Sequence, residues 1–243
     1  MKLLMAILLV VTAFDCKTIS KNLKQQTMIE IDSTLEKFDF EKYEREGNES
    51  HLQNGTYIYR SVNRAQEYPT KGSILNVDEH QTPPLPYIYN IHKEFYTNGN
   101  IKNKGKLIWD SDTEIGLWYY FDEHGNLIKS VNEDEKFGKF GYNELLHFLD
   151  KEHVINIRTG ENREELKVFF DEIEKFWIVE VYNKVKAHIE NGERDIDTKD
   201  GFGYKIDGHT GKVLYKRKQH YIQSMGRTEF EYIIKEPRKS IIL

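Results

Sequence analysis

The sequence is poor in the features that usually announce chemistry. One cysteine, Cys16, stands among 243 residues, so no intrachain disulfide can form and any exported fold must rely on its core. No apolar run reaches the roughly 20 residues of a membrane-spanning helix. There is no surplus of positive charge: the formal net charge is −5, which argues against a general nucleic-acid binder. Gly-x-Ser-x-Gly, His-Glu-x-x-His and a phosphate-cradling glycine loop are all missing. Only 5 prolines occur, and three of them fall in QTPPLP (81–86), a rigid extended loop that helices and central strands cannot use. Aromatic residues, by contrast, are plentiful at 13%, with Tyr and Phe abundant as in β-rich proteins.

The N-terminus is the clearest positive signal. Met1 and Lys2 supply a positive end, and Leu3 to Phe14 is apolar apart from Thr12, as in the hydrophobic region of a secretory signal. The run stops at Asp15 and Cys16, and polar residues follow. A hydrophobic stretch ending at the lone cysteine resembles a bacterial lipoprotein signal. The resemblance implies lipidation of Cys16 and attachment to a membrane through lipid alone. Val11-Thr12-Ala13 offers a rival cut after Ala13, which would release an unlipidated chain. The expected organisation is a signal over 1–16, a polar tether over 17–30, a β-rich region over 31–140 and an α+β region over 141–243.

Within the β-rich region, Ser33 and Glu36 have capping-box spacing and predict a short helix. Asn54-Gly55 is a hairpin-type turn that opens a strand, GTYIYRSV. KEFYTNGNIK (93–102) and WYYFDEHGNLIK (118–129) form a near-repeat, aligned with one extra residue in the second turn. Gly99 and Gly125 sit where a tight reversal needs positive φ. Tyr96 and Phe121 precede the turns, Ile101 and Leu127 follow them, and these pairs are expected to face one another. Glu94-Phe95-Tyr96-x-Asn98-Gly99-Asn100-Ile101-Lys102-x-x-Gly105, followed by Ile115 to Phe121 and Gly125-Asn126-Leu127-Ile128-Lys129, resembles the bacterial variant MORN repeat. That resemblance implies tandem β-hairpins, often found in exported proteins and lipoproteins of Bacteroidetes-like bacteria. Some members are antitoxin or immunity components.

Beyond Phe137 the pattern changes. Residues 143–151 predict a short helix with Leu145 and Leu149 one turn apart. Residues 163–173 predict a second, because Leu166, Phe169, Phe170 and Ile173 form one apolar stripe. Trp177, Val179 and Val181 alternate as in a strand, residues 201–219 read as strand, turn and strand, and 228–235 as a last strand. Asp207 and Gly211 supply the turn chemistry. Tyr-x-Ile-Asp-x-x-Thr-Gly-x-Val-Leu (204–214) is similar to the end of PepSY-type domains, which implies a binding or inhibitory module. The fold expected for the whole chain is α+β: an antiparallel hairpin-repeat sheet, then one or two helices packed on an antiparallel sheet.

No residue set predicts catalysis, a cofactor or a metal. His147 and His153 would not share a helical face, and His80 and His124, in the strings DEHQ and DEHG, read as exposed turns. Asp195, Asp197 and Asp200 resemble a calcium loop, but Ile206 stands where the bidentate Glu belongs, so an acidic solvated loop is expected. The candidate partner-contacting residues are Tyr96, Trp118, Tyr119 and Tyr120, together with Lys212, Lys216 and Lys218 on one strand face. The function expected is binding of another protein by an exported, membrane-tethered, non-enzymatic chain. The sharpest form is an immunity lipoprotein of the periplasm or outer membrane that neutralises a secreted toxin. An envelope scaffold that binds glycan is the alternative.

Overall fold

A computed structural model describes residues 29–66, 72–190, 193–222 and 226–235. The expected signal, Cys16 and the expected tether up to residue 28 lie outside the described residues. Among the described residues, twelve strands and two short α-helices make a mostly β, α+β architecture. Strands β1 (Glu49–His51), β2 (Tyr57–Arg64), β3 (Ile74–Thr82), β4 (Tyr89–Phe95), β5 (Ile101–Ile108), β6 (Glu114–Phe121) and β7 (Leu127–Asn132) pair in chain order as one antiparallel sheet. Strands β8 (Leu166–Asp171), β9 (Phe176–Glu190), β10 (Glu193–Asp207), β11 (Val213–Ile222) and β12 (Arg227–Lys235) form a second, also antiparallel and in chain order.

Identical turn chemistry shapes the first sheet. In the β1–β2, β4–β5 and β6–β7 turns the glycine N–H donates to the carbonyl three residues back: Gly55 to Leu52, Gly99 to Tyr96, Gly125 to Asp122. The three φ angles are 85°, 87° and 88°, a region in which a Cβ is strained. The two near-repeats have turns of equal length. Phe95 pairs with Ile101 and Phe121 with Leu127, so Phe95 rather than Tyr96 is the counterpart of Phe121, and no extra residue is inserted. The first turn is a third copy that low similarity in its flanking strands conceals.

Two helical expectations are corrected. Ser33 and Glu36 cap nothing. Asp32 instead accepts from the Thr34 N–H at 2.9 Å, and residues 29–39 run extended as a strap across the first sheet. The helix, α1, begins later at Phe40–Glu46, capped by Asp39. The end of the expected tether also belongs to this strap, because Ile29 donates its N–H to the Tyr89 hydroxyl at 2.7 Å and packs on the core. Residues 163–173 are a 3-10 turn (Arg163–Glu165) followed by strand β8, not an α-helix. Leu166, Val168 and Phe170 are buried against β9, while Phe169 and Ile173 of the supposed stripe are exposed. Leu166 and Phe170 satisfy both periods, and pairing with β9 selects the strand. The helix α2 (Tyr142–Lys151) forms as expected and buries Leu145 and Leu149.

The two sheets share one core. Tyr89, Ile91, Ile108 and Ile115 of the first sheet meet Leu145 and Leu149 of α2 and Trp177, Val179 and Tyr204 of the second. Arg163 adds a polar clasp. Its guanidinium donates to the carbonyls of Pro83 and Tyr87, both at 2.9 Å, and lies 4.2 Å from the Trp109 ring centre. A smaller cluster of Phe38, Val77, Phe95, Ile101 and Phe121 sits under the strap and α1.

Candidate functional site

One face of the first sheet is covered and the other open. Between the two apolar clusters, the covered face carries a cross-strand ladder of charge. Arg60 Nε reaches Glu79 at 2.8 Å, Lys93 bonds Glu36 of the strap, and Lys104 Nζ reaches Glu36 at 2.7 Å and the Thr34 carbonyl at 2.7 Å. Lys104 is 1% exposed. Burial raises the Glu36 pKa, but hydrogen bonds from Lys104 and Lys93 outweigh it and hold the carboxyl below its ordinary value. Three cations face Asp32, Glu36 and Glu79, so the ladder is neutral and locks the strap to strands β2 to β5.

The open face is different. Register pairs Tyr59 with His80, His80 with His92, and His92 with Gly105. Gly105 has no side chain there because the Trp118 ring occupies the space: an added Cβ would lie 2.1 Å from it. Trp118 donates to the Lys106 carbonyl at 3.1 Å, and its ring centre is 6.1 Å from that of His92. The imidazoles of His80 and His92 are 4.7 Å apart. Tyr59, His80, His92 and Trp118 therefore make one continuous row across strands β2 to β6. Beside it runs a polar row: Asp78 pairs with Glu94, Glu94 with Asn103, Asn103 with Tyr120 and Tyr120 with Lys129. Glu94 accepts from Lys102 and Asn103, both at 2.6 Å, and the Lys102 pKa is raised by that bond. Lys129 Nζ lies 4.5 Å above the Tyr120 ring. Burial, and then the neighbouring His80, lowers the His92 pKa. Burial, and then Glu133, raises that of Glu114, which stands on the same open face. This surface offers aromatic edges, carboxylates and imidazoles, groups suited to contacts with another molecule.

The candidate residues from the sequence are distributed as follows. Tyr120 stands on the open face. Trp118 is buried, 3% exposed, and acts as the filler over Gly105 rather than as a contact residue. Tyr119 points to the covered side and packs on the Phe38 cluster. Tyr96 sits at the hairpin tip, where its hydroxyl donates to the Phe121 carbonyl at 2.9 Å and helps Asn98 and Asn100 tie the two turns together through the Glu123 carbonyl. Lys212, Lys216 and Lys218 do not form one patch. Lys212 ends the turn, Lys216 bonds Glu152 at the end of α2 and lies beside the Phe202 and Tyr204 rings, and Lys218 is exposed further along β11. Asp207 does organise its turn, accepting from Thr210 Oγ1 at 2.8 Å, and Gly211 has φ 70°.

His80 is not in an exposed turn but in β3, half-buried. His124 is in the β6–β7 turn. Asp195, Asp197 and Asp200 lie in strand β10 rather than in a loop. The Asp195 and Asp197 side chains are outside the described residues, and Asp200 bonds His220. Among the described residues no three His, Cys, Asp or Glu side chains converge as a metal site, and no helix is long and apolar enough to cross a membrane. The sequence does not bring Tyr59, His80 and His92 together, because their row exists only across strands. The two-residue spacings Asp78–His80 and His92–Glu94 were the available signal. No protein-family model, curated protein or solved structure matches the chain.

Proposed function

We propose that this protein is a non-enzymatic, exported binding protein, held at a membrane by lipid on Cys16, that presents the open face of its hairpin sheet to a protein partner. The observation that carries the reading is the row Tyr59–His80–His92, backed at its end by the buried Trp118 ring and flanked by carboxylates and Tyr120, on the open face of the sheet. The N-terminal signal and the resemblance of residues 93–102 and 118–129 to variant MORN hairpins support the more specific reading of an immunity lipoprotein that neutralises a delivered toxin.

Two measurements test it. Intact-mass analysis of the membrane fraction is expected to find diacylated or triacylated Cys16, and an unlipidated chain starting at Phe14 would remove the tether. A photocrosslinker at Tyr59 in living cells is expected to trap one stoichiometric protein, and Tyr120→Glu to abolish the trapping. Recovery of polysaccharide alone overturns protein binding in favour of the envelope scaffold.

A further inference from the structure

The second sheet has two unequal faces. Trp177, Val179, Val181, Tyr204 and Ile206 point to the core and α2. Opposite them, register aligns three rows on the outer face: Phe169–Ile178–Lys205–Tyr215, then Glu180–Gly203–Arg217–Tyr232, then Tyr182–Gly201–Gln219–Phe230. Among the described residues no helix or strand packs on this side. Phe169 and Phe230 are 57% and 54% exposed, at opposite edges of the sheet. The face is flat at its centre because Gly203 leaves room for the Arg217 and Gln219 side chains to lie along it.

Three of the cations on this face already pair with carboxylates of the same chain, and a fourth, Lys205, lies over a ring. Arg217 crosses Gly203 to reach Glu180 at 2.7 Å, Lys199 reaches Glu165 at 2.6 Å, Lys167 reaches Asp110 at 3.6 Å, and Lys205 Nζ lies 3.5 Å from the Phe176 ring centre. Gln219 is 3% exposed and both its amide atoms lack a hydrogen-bond partner, so the desolvation of the centre is borne by the single chain. A charged partner finds little here to pair with. The face calls for another flat, aromatic surface whose charges are largely paired within its own chain.

We infer that the outer face of the second sheet is a homodimer interface, packed against the same face of a second copy. Every copy carries the matching surface, and a two-fold axis lets it be self-complementary. Two such sheets stacked about 10 Å apart make a β-sandwich whose aromatic residues interdigitate. Five strands span about 19 Å, and the six residues of the shortest, β8, run about 20 Å. That footprint, roughly 400 Å² when flat and larger with side-chain relief, approaches the ~600 Å² per partner at the lower end of specific interfaces. This inference is independent of the partner proposed for the hairpin sheet.

The test is the solution mass of the purified full-length chain in non-ionic detergent, by sedimentation equilibrium with the detergent density-matched. A dimer mass is expected, with dissociation on dilution. Phe230→Glu with Tyr232→Glu is expected to weaken dimerisation at least a hundredfold and leave the far-ultraviolet circular dichroism unchanged. Tyr59→Glu, on the open face of the other sheet, should leave the dimer intact. Should the double variant unfold, Phe169→Glu on the opposite edge replaces it, with the same loss expected. A monomer at every concentration, or a dimer indifferent to these substitutions, overturns the inference.

Discussion

His92 places a buried, unpaired imidazole nitrogen, Nδ1, within a strand face that is otherwise polar. Its neighbours are His80 and Asp78 on β3, Glu94 on its own strand, Asp112 in the β5–β6 turn and the Trp118 ring. Burial and the adjacent imidazole lower its pKa below the ordinary 6.5. On acidification the unfolded chain therefore takes up the proton first, and stability falls as pH drops from that value until the folded pKa is reached. Urea unfolding at pH about 7.5 and about 5.5 is expected to show this loss, and His92→Leu to reduce the slope over that window. An unchanged slope in the variant would assign the pH dependence to other groups. The same residue links stability to recognition, because its protonation also places a positive charge at the centre of the row.

At the scale of elements, strand β8 is the decisive case. A helix would bury Leu166, Phe169, Phe170 and Ile173 together, whereas the strand buries Leu166, Val168 and Phe170 and exposes the other two. Phe170→Ala is expected to cost about 3–5 kcal/mol and Phe169→Ala less than about 1 kcal/mol in the monomer unfolding step. Comparable losses would restore the helix. The contrast also explains what the sequence could and could not disclose. Hairpins at Gly99 and Gly125 were legible because a local rule, a glycine with positive φ between alternating aromatic residues, specifies them. Helix α2 fits the helical period alone, since the buried Tyr142, Leu145 and Leu149 lie at i, i+3 and i+7, which no strand face can hold. Residues 166–173 satisfy two periods at once, and only a partner strand far along the chain decides between them. The open-face row is harder still, since its members are separated by whole strands and appear together only once the register is known. The acidic strings around His80 and Asp195 look like loops by composition, yet strand pairing recruits both.

For the molecule as a whole, the apparent boundary near residue 140 does not divide the core. Side chains from both sheets and α2 form one cluster, and Arg163 reaches from the second region into the loop between β3 and β4. The two sheets are therefore expected to unfold in one transition followed equally by near-ultraviolet and far-ultraviolet signals. Arg163→Ala takes the shared donor from the Pro83 and Tyr87 carbonyls and removes the cation over the Trp109 ring. A loss of about 2–4 kcal/mol is expected, displacing that single transition without splitting it. Two separate transitions in the parent chain would show that each sheet folds alone.

The strap has a mechanical meaning. It enters at Ile29, crosses to Phe38 and is fastened along its length by the Tyr89 hydroxyl, Lys104, Lys93 and the edge of the β4–β5 turn. Tension on the chain ahead of Ile29 meets these fastenings one after another instead of all at once. The first to give is a single hydrogen bond with two isoleucines, and the Lys104 and Lys93 bonds to Glu36 come next. Force applied at the N-terminus is thus spent peeling a ribbon, step by step, while the hairpins beneath keep their shape.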